Sequence, residues 1–475
     1  MKFIPLIVVF ILFPIANALV FHNVSISNDI AIINTTIKLK TEKKYDVFEI
    51  SWEIPQYHDI IRIYDEKGDL AYKRQGDYIV FQTNRLRSDT RVINIEYEIK
   101  NAVSTEFYPL KKVQLYLSGF SNEETIVNLH AAKIISGDAS FGFSEYFDDY
   151  FAQFVGNGSA DIILYYSNSG REYENYLLFG NTEISAADNI FSIIPNITGL
   201  SKPYKRFPVV VLDDNVFSTK IQNWGSATHS RGGLILIKRS VAEGPYNASI
   251  ILHETMHGFN SKVLKWNQVN PTWFEEGTSS YVEHLANQQL GLKQSELFGN
   301  NKVYKDGESR IVIKSKGNKE KLWDYYKNSE TFMENWNPEN PETRDFGYAF
   351  SELVIRYSVM KNGIEKLRDA YSKLKEVESP VTDIKQSNNI LLSALDTNFM
   401  PCYSVSYENF SECLKEINGQ KAEIPEMKIN QEEKTVYTVN ITHEVVETDQ
   451  DSYSLIRNIL NFLENLFQPI KQFFR

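Results

Sequence analysis

The first third of the chain contains short apolar-rich runs, some of which alternate with polar residues, and turn-forming residues separate them. Runs of this kind are typical of β-strands. The clearest are Tyr45–Ile50, Ile60–Tyr64, Tyr78–Phe81, Val92–Tyr97, Val113–Leu117 and Ile162–Tyr166. Their spacing predicts an all-β sandwich or saddle-shaped domain over residues 19–180.

After residue 180 the pattern changes to a few buried runs followed by helical spacing. Phe207–Leu212 and Gly232–Ile237 are predicted to be strands, and Phe350, Leu353 and Val354 recur at helical steps. This predicts a second, α+β domain over residues 181–395 with a mostly helical C-terminal part. The chain is therefore multidomain, as its 475 residues also suggest.

The N-terminus has the pattern of a secretory signal peptide. Lys2 precedes the apolar run Phe3–Ile15, and Ala16-Asn17-Ala18 follows it. This predicts a signal peptide over residues 1–18 that is cleaved after Ala18, with an uncleaved N-terminal anchor as the alternative. In either case we expect the rest of the chain outside the cytosol, secreted or at the cell surface.

Residues 396–475 form a C-terminal region with two distinctive features. Cys402 and Cys413 are the only cysteines, and export favours a disulfide between them over two buried thiols. The second feature is an amphipathic helix, which packs on its own protein or makes a peripheral contact with a membrane surface. Its apolar positions are Leu455, Ile456, Ile459, Leu460, Leu463, Leu466, Phe467 and Ile470.

Composition narrows the classes of function. A hydrophobic content of 42% and an aromatic content of 13% indicate folded domains rather than a disordered chain. The net charge is −11, which argues against nucleic acid as a partner because phosphate binding needs a basic surface. Glycosylation sequons, which fit an exported protein, occur at Asn23, Asn34, Asn157, Asn196, Asn247, Asn409 and Asn440.

Residues 253–257 read His-Glu-Thr-Met-His. Positions i and i+4 share one face of a helix, so the imidazoles of His253 and His257 can reach a single ion. A second helix is predicted over the segment that contains Glu276, which follows His257 after eighteen intervening residues. Glu276 can point at the metal, and Glu283 can hydrogen-bond a ligand histidine. We expect Gly277 to let this helix approach the first one closely.

HETMH, the eighteen-residue gap and Trp-Phe-Glu-Glu-Gly-(x)3-Tyr-Val-Glu resemble the gluzincin zinc metallopeptidases, and most of all the aminopeptidase N family. That family carries HExxH, the same gap and W-L-N-E-G-(x)3-Y-x-E. The motif resemblance covers residues 253–283, and a looser similarity in element order covers about 200–376. It implies a thermolysin-like catalytic domain, one Zn²⁺ per chain on His253, His257 and Glu276, and Glu254 as general base.

Two further positions follow from the resemblance. The family stabilises the reacting oxygen with a tyrosine some seventy residues after the glutamate ligand, a place that Tyr348 fills, with an ordinary core aromatic as the alternative. The family's G-x-M-E-N motif, whose glutamate holds the substrate's free amine, is incomplete because Gln222 stands at the glutamate position before Asn223. A neutral amide lacks the charge to capture an ammonium group.

The expected substrate is a peptide or protein. We expect it to pair with the strand Gly232–Ile237 as a sheet edge, so that Gly232 and Gly233 contact it. The nearby His229 is a weaker candidate for such a contact, with a surface histidine as the alternative, and His284 is expected to face away from the metal. The sequence thus predicts a secreted or surface zinc-dependent peptidase, with endopeptidase or another specificity favoured by Gln222. An aminopeptidase of the same family and a non-catalytic, zinc-containing surface binding protein are the alternatives.

Overall fold

A computed structural model describes residues 18–40, 49–84, 90–140, 142–264, 271–293, 297, 305–306, 309–310, 332–377, 381–399, 402 and 406–420. The predicted signal segment before Ala18 and the predicted C-terminal amphipathic helix lie outside these residues. Within them, no helix is both long enough and apolar enough to span a bilayer.

The strands and helices are numbered in chain order. The strands are β1 Ala18–Ser27, β2 Ile30–Lys40, β3 Glu49–Glu53, β4 Asp59–Asp65, β5 Gly68–Asp69, β6 Tyr72–Gln75, β7 Tyr78–Gln82, β8 Thr90–Lys100, β9 Val103–Ser104, β10 Lys111–Leu117, β11 Glu124–His130, β12 Ile134–Asp138, β13 Ser144–Phe147, β14 Phe151–Asn157, β15 Ala160–Tyr166, β16 Arg171–Glu172, β17 Tyr176–Phe179, β18 Phe207–Leu212, β19 Ala227–Ser230, β20 Leu234–Lys238, β21 Lys305–Asp306 and β22 Ser309–Arg310. The helices are α1 Ser185–Asn189, α2 Ile193–Thr198, α3 Asp214–Lys220, α4 Arg239–Ala242, α5 Asn247–Val263, α6 Thr272–Gln289, α7 Phe332–Asn335, α8 Arg344–Asn362, α9 Glu365–Lys375, α10 Ile384–Leu395 and α11 Tyr407–Gly419.

The described residues of the N-terminal third form a β domain of three sheets. An eight-stranded sheet has the order β13-β14-β11-β1-β2-β8-β4-β5, a four-stranded sheet the order β12-β15-β10-β9, and a three-stranded sheet the order β3-β7-β6. Side chains alternate between the two faces of each strand. In β8, for example, Ile93, Ile95 and Tyr97 point inward and are buried, whereas Val92 points outward. Residues of all three sheets bury one shared apolar core, which accounts for the strand pattern in the sequence.

A five-stranded sheet with the order β16-β17-β18-β20-β19 begins the second domain. β17, β18 and β20 run parallel, and β19 pairs antiparallel with β20 at the edge. Because β16 and β17 belong to this sheet, the second domain begins between Tyr166 and Arg171. The boundary predicted after residue 180 is corrected accordingly.

The helices after β20 pack on one another around the main core of the second domain, to which α5, α6, α8 and α9 all contribute buried side chains. A Cβ added to Gly277 on α6 would lie 2.6 Å from the Ser351 carbonyl oxygen on α8. Gly277 therefore permits the close approach of α6 to α8, and the predicted role of this glycine between the HExxH helix and α6 is corrected.

The two domains meet through an apolar layer and an ionic cluster. Side chains of the four-stranded sheet, such as Ile163 and Tyr165, pack with Leu177, Val210 and Leu236 of the five-stranded sheet. Beside this layer, Lys262 of α5 and Arg231 of the β19–β20 turn bind carboxylates of the β domain. The helix with the HExxH motif is thus attached directly to the β domain.

The sulfur atoms of Cys402 and Cys413 are joined in a disulfide, which ties α11 to the segment before it. The sequons differ in exposure: Asn23, Asn34, Asn157 and Asn409 are exposed, Asn247 is half-buried, and Asn196 is buried. A glycan on Asn196 would therefore require local unfolding. Asn440 lies outside the described residues.

Candidate metal centre

Two neighbouring helices, α5 and α6, carry the donors that converge on one point. Most of α5 is buried, including Ile251, Leu252, Met256 and Phe259, so its orientation is fixed by the core. The motif histidines lie on its remaining face. One ligand atom each from His253, His257 and Glu276 falls within 4.8 Å of the others.

The three side chains contact one another directly. Glu276 Oε2 lies 3.3 Å from His253 Nε2 and 3.5 Å from His257 Nε2. Both imidazoles therefore present the same ring nitrogen to the shared carboxylate. Two imidazoles and a carboxylate are a donor set that zinc prefers, and three protein ligands leave a position for water or substrate.

Glu283 stands behind the first histidine. Its Oε2 is 3.3 Å from His253 Nδ1, the ring nitrogen that faces away from Glu276. A carboxylate in this position holds the ring orientation and favours the tautomer whose Nε2 lone pair is free for a metal. Glu276 and Glu283 are seven residues apart on α6, so they lie on the same face of that helix and both carboxylates reach His253.

The pKa shifts of the two histidines and of Glu276 all favour a positive charge at the centre of this cluster. Burial would lower the pKa of His253, but the neighbouring carboxylates of Glu276 and Glu283 outweigh burial and raise that pKa well above its ordinary value. The pKa of His257 is also raised, since Glu276 outweighs burial there. Burial opposes ionisation of Glu276, yet His257 and His253 hold its pKa far below the usual range. A divalent cation would replace these protons, which is the expected competition at a metal site.

Glu254 is buried beside the donors, with 8% of its surface exposed. Burial raises the pKa of this carboxyl, although His253 and His257 act in the opposite direction. A carboxylate that is desolvated in this way is a stronger base than one in water.

Tyr348 reaches the same cluster from α8. Burial raises the pKa of its phenol well above the ordinary value, and the nearby carboxylates of Glu276 and Glu254 raise it further. Its ring also meets Trp336 edge-on, with centroids 5.4 Å apart. Tyr348 therefore has a neutral hydroxyl that can donate a hydrogen bond next to the three candidate metal ligands. This setting differs from that of an ordinary core aromatic.

His229 lies next to the second histidine. Its ring faces that of His257 with 6.4 Å between centroids and 25° between planes. Burial and the neighbouring His257 lower the pKa of His229 to about 3, so it is neutral near pH 7. His229 is on β19, which makes β19 the sheet edge nearest the cluster.

The predicted edge strand Gly232–Ile237 is corrected by this sheet order. β20 lies between β18 and β19, so both of its edges are occupied. Gly232 and Gly233 form the β19–β20 turn with φ of +81° and +84°, which L-residues rarely adopt. They pack against the rings of Tyr165 and Tyr204 instead of lining an open edge.

In the loop before β19, the side chain of Gln222 forms a hydrogen bond close by in the sequence. Gln222 Nε2 donates to the Ala227 carbonyl oxygen at 2.9 Å, and the same amide lies against Gly225. Asn223 is exposed. The amide of Gln222 thus closes its own loop.

His284, on α6, is buried, and its Nδ1 accepts a hydrogen bond from the Arg356 guanidinium at 2.7 Å. Burial and Arg356 lower the pKa of His284 to about 4. This imidazole belongs to a buried ionic group with Arg356 and Glu352.

Three positioning features have only weak signals in the sequence. Asn260, one turn past His257, donates to Thr278 Oγ1 at 3.0 Å and accepts from the Tyr371 hydroxyl at 2.6 Å, which fixes α5 against α6. Lys262 binds Asp138 and Glu145 at 2.5 and 2.8 Å. Glu275 is half-buried beside Glu276, and burial raises its pKa to about 7. Only the helical period of α5 would have directed attention to Asn260.

The fold and donors define a three-ligand HExxH site between two packed helices. No family model matches the chain, and no curated protein matches its sequence. Among solved structures, the chain is similar to an M1 zinc metallopeptidase from Deinococcus radiodurans, at 11% identity over 87% of this chain and 96% of that one, with a TM-score of 0.35. It is also similar to a leukotriene A4 hydrolase from Saccharomyces cerevisiae, at 13% identity over 81% and 68%, with a TM-score of 0.35. Similarity at this level defines neither the activity nor the substrate of this chain.

Proposed function

We propose that this protein is a zinc-dependent peptidase of an extracytosolic compartment, with one zinc ion on His253, His257 and Glu276. The observation that carries the proposal is the convergence of these three donors around one point, with the buried carboxyl of Glu254 and the hydroxyl of Tyr348 beside it. Bound zinc would supply Lewis acidity, lowering the pKa of a bound water and polarising a substrate carbonyl.

Four side chains of the protein have separate roles in the proposed reaction. Glu254 accepts the proton of the attacking water and passes it to the leaving amine. Tyr348 donates a hydrogen bond to the oxygen on which negative charge develops. Glu283 keeps His253 in the ligating tautomer, and Glu276 balances the charge of the ion.

An extended substrate would pair with β19, which has one unpaired edge among the described residues. This strand is the outer member of its sheet, and His229 places it next to His257. Main-chain pairing with an edge strand is a common way to hold a peptide in an extended form. The side chain of Gln222 is a neutral amide, so it offers no negative charge to a free amine, and endopeptidase specificity is favoured.

The activity is tested with the purified chain, a denatured protein substrate and a chelator. We expect stoichiometric zinc, hydrolysis that the chelator abolishes, and a loss of at least about 10³-fold in kcat for Glu254→Gln with zinc retained. Glu243→Gln, a carboxyl at the exposed end of α4, is the matched control. Absence of zinc, or unchanged hydrolysis by Glu254→Gln, would contradict the proposal.

Specificity is tested separately with a pair of peptides that differ only in N-acetylation. We expect similar kcat/KM values for the acetylated and free-amine forms. A strong requirement for the free amine would instead establish an aminopeptidase. Zinc binding without hydrolysis of either peptide would favour the non-catalytic binding protein.

A further inference from the structure

The β domain contains a cleft that shares no residue with the metal centre. Its volume is about 310 Å³, which is within the range of ligand-binding pockets. Three segments form its walls: the loop that follows β3, the turn between β8 and β9, and one side of β10. The lining residues are Pro55, Tyr57, His58, Ile99, Lys100, Asn101, Ala102, Ser104, Lys112, Gln114, Leu115 and Tyr116.

The cleft opens where two strands diverge. β9 pairs with β10 only at Val103–Val113 and Ser104–Lys112. At the preceding residue the Ala102 N–H donates to the Asp29 carbonyl oxygen, and Asn101 has a φ of +55°, so the chain turns away from β10. Among the described residues, no strand continues the ladder along this side of β10 beyond Val113. The gap therefore borders a sheet edge with free main-chain groups.

The opposite wall is a rigid loop. Arg74 donates to the carbonyl oxygens of Ile54, Pro55 and His58 at 2.8 to 3.2 Å, which fixes the loop in place. The loop presents Tyr57, which is 76% exposed, at the mouth of the cleft. A fixed wall lowers the entropy that a ligand must lose to bind.

The polar groups of the cleft indicate the kind of ligand. His58 is only 6% exposed, and its Nδ1 has no hydrogen-bond partner among the described residues. Among the described residues, Lys112 has no carboxylate partner and no carboxylate lines the cleft, while Glu53, outside the lining, accepts a hydrogen bond from the Tyr116 hydroxyl at 3.2 Å. Lys100, at the rim, is paired with Asp59. The unpaired ammonium group of Lys112 therefore favours a ligand that carries a carboxylate.

We propose that this cleft binds an extended peptide that carries an acidic side chain. The peptide adds as a strand to β10, its main chain pairs with the free edge beyond Val113, and its carboxylate meets Lys112. Tyr57 and Tyr116 cover the peptide from the rim. The site would hold a protein partner on the β domain, whether or not the second domain cleaves it.

The test uses the full chain with Glu254→Gln, so that the probe is not cleaved. The probe is fluorescein-labelled acetyl-(Val-Glu)₃-amide, and binding is measured by fluorescence anisotropy with and without a chelator. We expect saturable binding that the chelator does not change. Lys112→Glu should weaken it about tenfold or more, since a contact between opposite charges becomes a repulsion. Lys73→Glu, the same charge change on the exposed face of β6, should have no effect.

A second probe separates strand addition from simple charge attraction. N-methylation of alternate amides removes the donors and the close approach that a strand needs, so we expect this peptide not to bind. Equal binding of the methylated probe, equal effects of Lys112→Glu and Lys73→Glu, or no binding at all would overturn the proposal. Binding lost with the chelator would place the peptide at the metal centre. Because the probe is measured by binding alone, these outcomes do not depend on whether the protein is a peptidase.

Discussion

The contact between α6 and α8 at Gly277 gives a sharp test of how the metal centre is held. In Gly277→Ala, the new Cβ would lie 2.6 Å from the Ser351 carbonyl oxygen, whereas ordinary van der Waals contact begins at 3.4 Å. The atom it meets belongs to the backbone of a buried helix, so it cannot rotate away. The two helices must therefore separate by about 0.8 Å.

Two terms of opposite sign determine the stability change. Alanine is a better helix former than glycine by about 1 kcal/mol. Overpacking against a fixed backbone costs about 1–3 kcal/mol, and the clash at Gly277 is severe, so we expect a net destabilisation of about 1–2 kcal/mol. Zinc binding should be affected more, because Glu276 is the neighbouring residue and metal–ligand distances tolerate only about 0.2 Å.

The measurements are urea unfolding of the metal-free protein and zinc affinity by competition with a chromogenic chelator. Gly419→Ala is the matched control, since a Cβ there meets nothing within 4 Å. We expect that control to be neutral or slightly stabilising and to bind zinc normally. If Gly277→Ala has wild-type stability and zinc affinity, the close approach of α6 and α8 does not determine the position of Glu276.

Four further outcomes follow from the structure. Tyr348→Phe should lower kcat about 100-fold with KM and zinc content unchanged, and Tyr357→Phe on the same helix should have no such effect. Glu283→Gln should weaken zinc binding by about 10–100-fold in the same chelator competition. Burial lowers the pKa of His22 to about 4, so the unfolded chain takes up a proton that the folded chain does not. The free energy of unfolding should then fall by about 3 kcal/mol between pH 6.5 and pH 4, and His22→Asn should reduce this loss in urea titrations at the two pH values. Cys413→Ser should lower the unfolding free energy by about 2–3 kcal/mol, and reductant should have no further effect on that variant.

The features that the sequence predicts well are local in the chain. The HExxH helix and the placement of Glu276 and Glu283 depend on helical periodicity, which the pattern of apolar residues reports directly. Phe207–Leu212 has the same bounds in the sequence prediction and in the structure. Runs of the first third such as Val92–Tyr97 likewise predict strands, because alternate residues of β8 are buried. Most of the run Tyr45–Ile50 lies outside the described residues.

The errors concern partners that are distant in sequence. β17 resembles the strands before it, but it pairs with β18, so the domain boundary depends on a non-local choice. The strand order, which places β20 inside the sheet and β19 at its edge, likewise cannot be predicted from the short apolar runs of the sequence. Gly277 shows the same limit: glycine indicates close approach, but the sequence does not say which helix approaches.

The junction between the domains has a consequence for how this protein can be divided or recombined. Lys262 and the histidines share α5, while Asp138 and Glu145, which bind Lys262, come from the β domain. A fragment that starts at the second domain would leave this ammonium half-buried without its counter-charges and would expose the apolar layer around Val210 and Leu236. Chimaeras with related chains should therefore exchange both halves together, or carry Lys262, Asp138 and Glu145 as one unit.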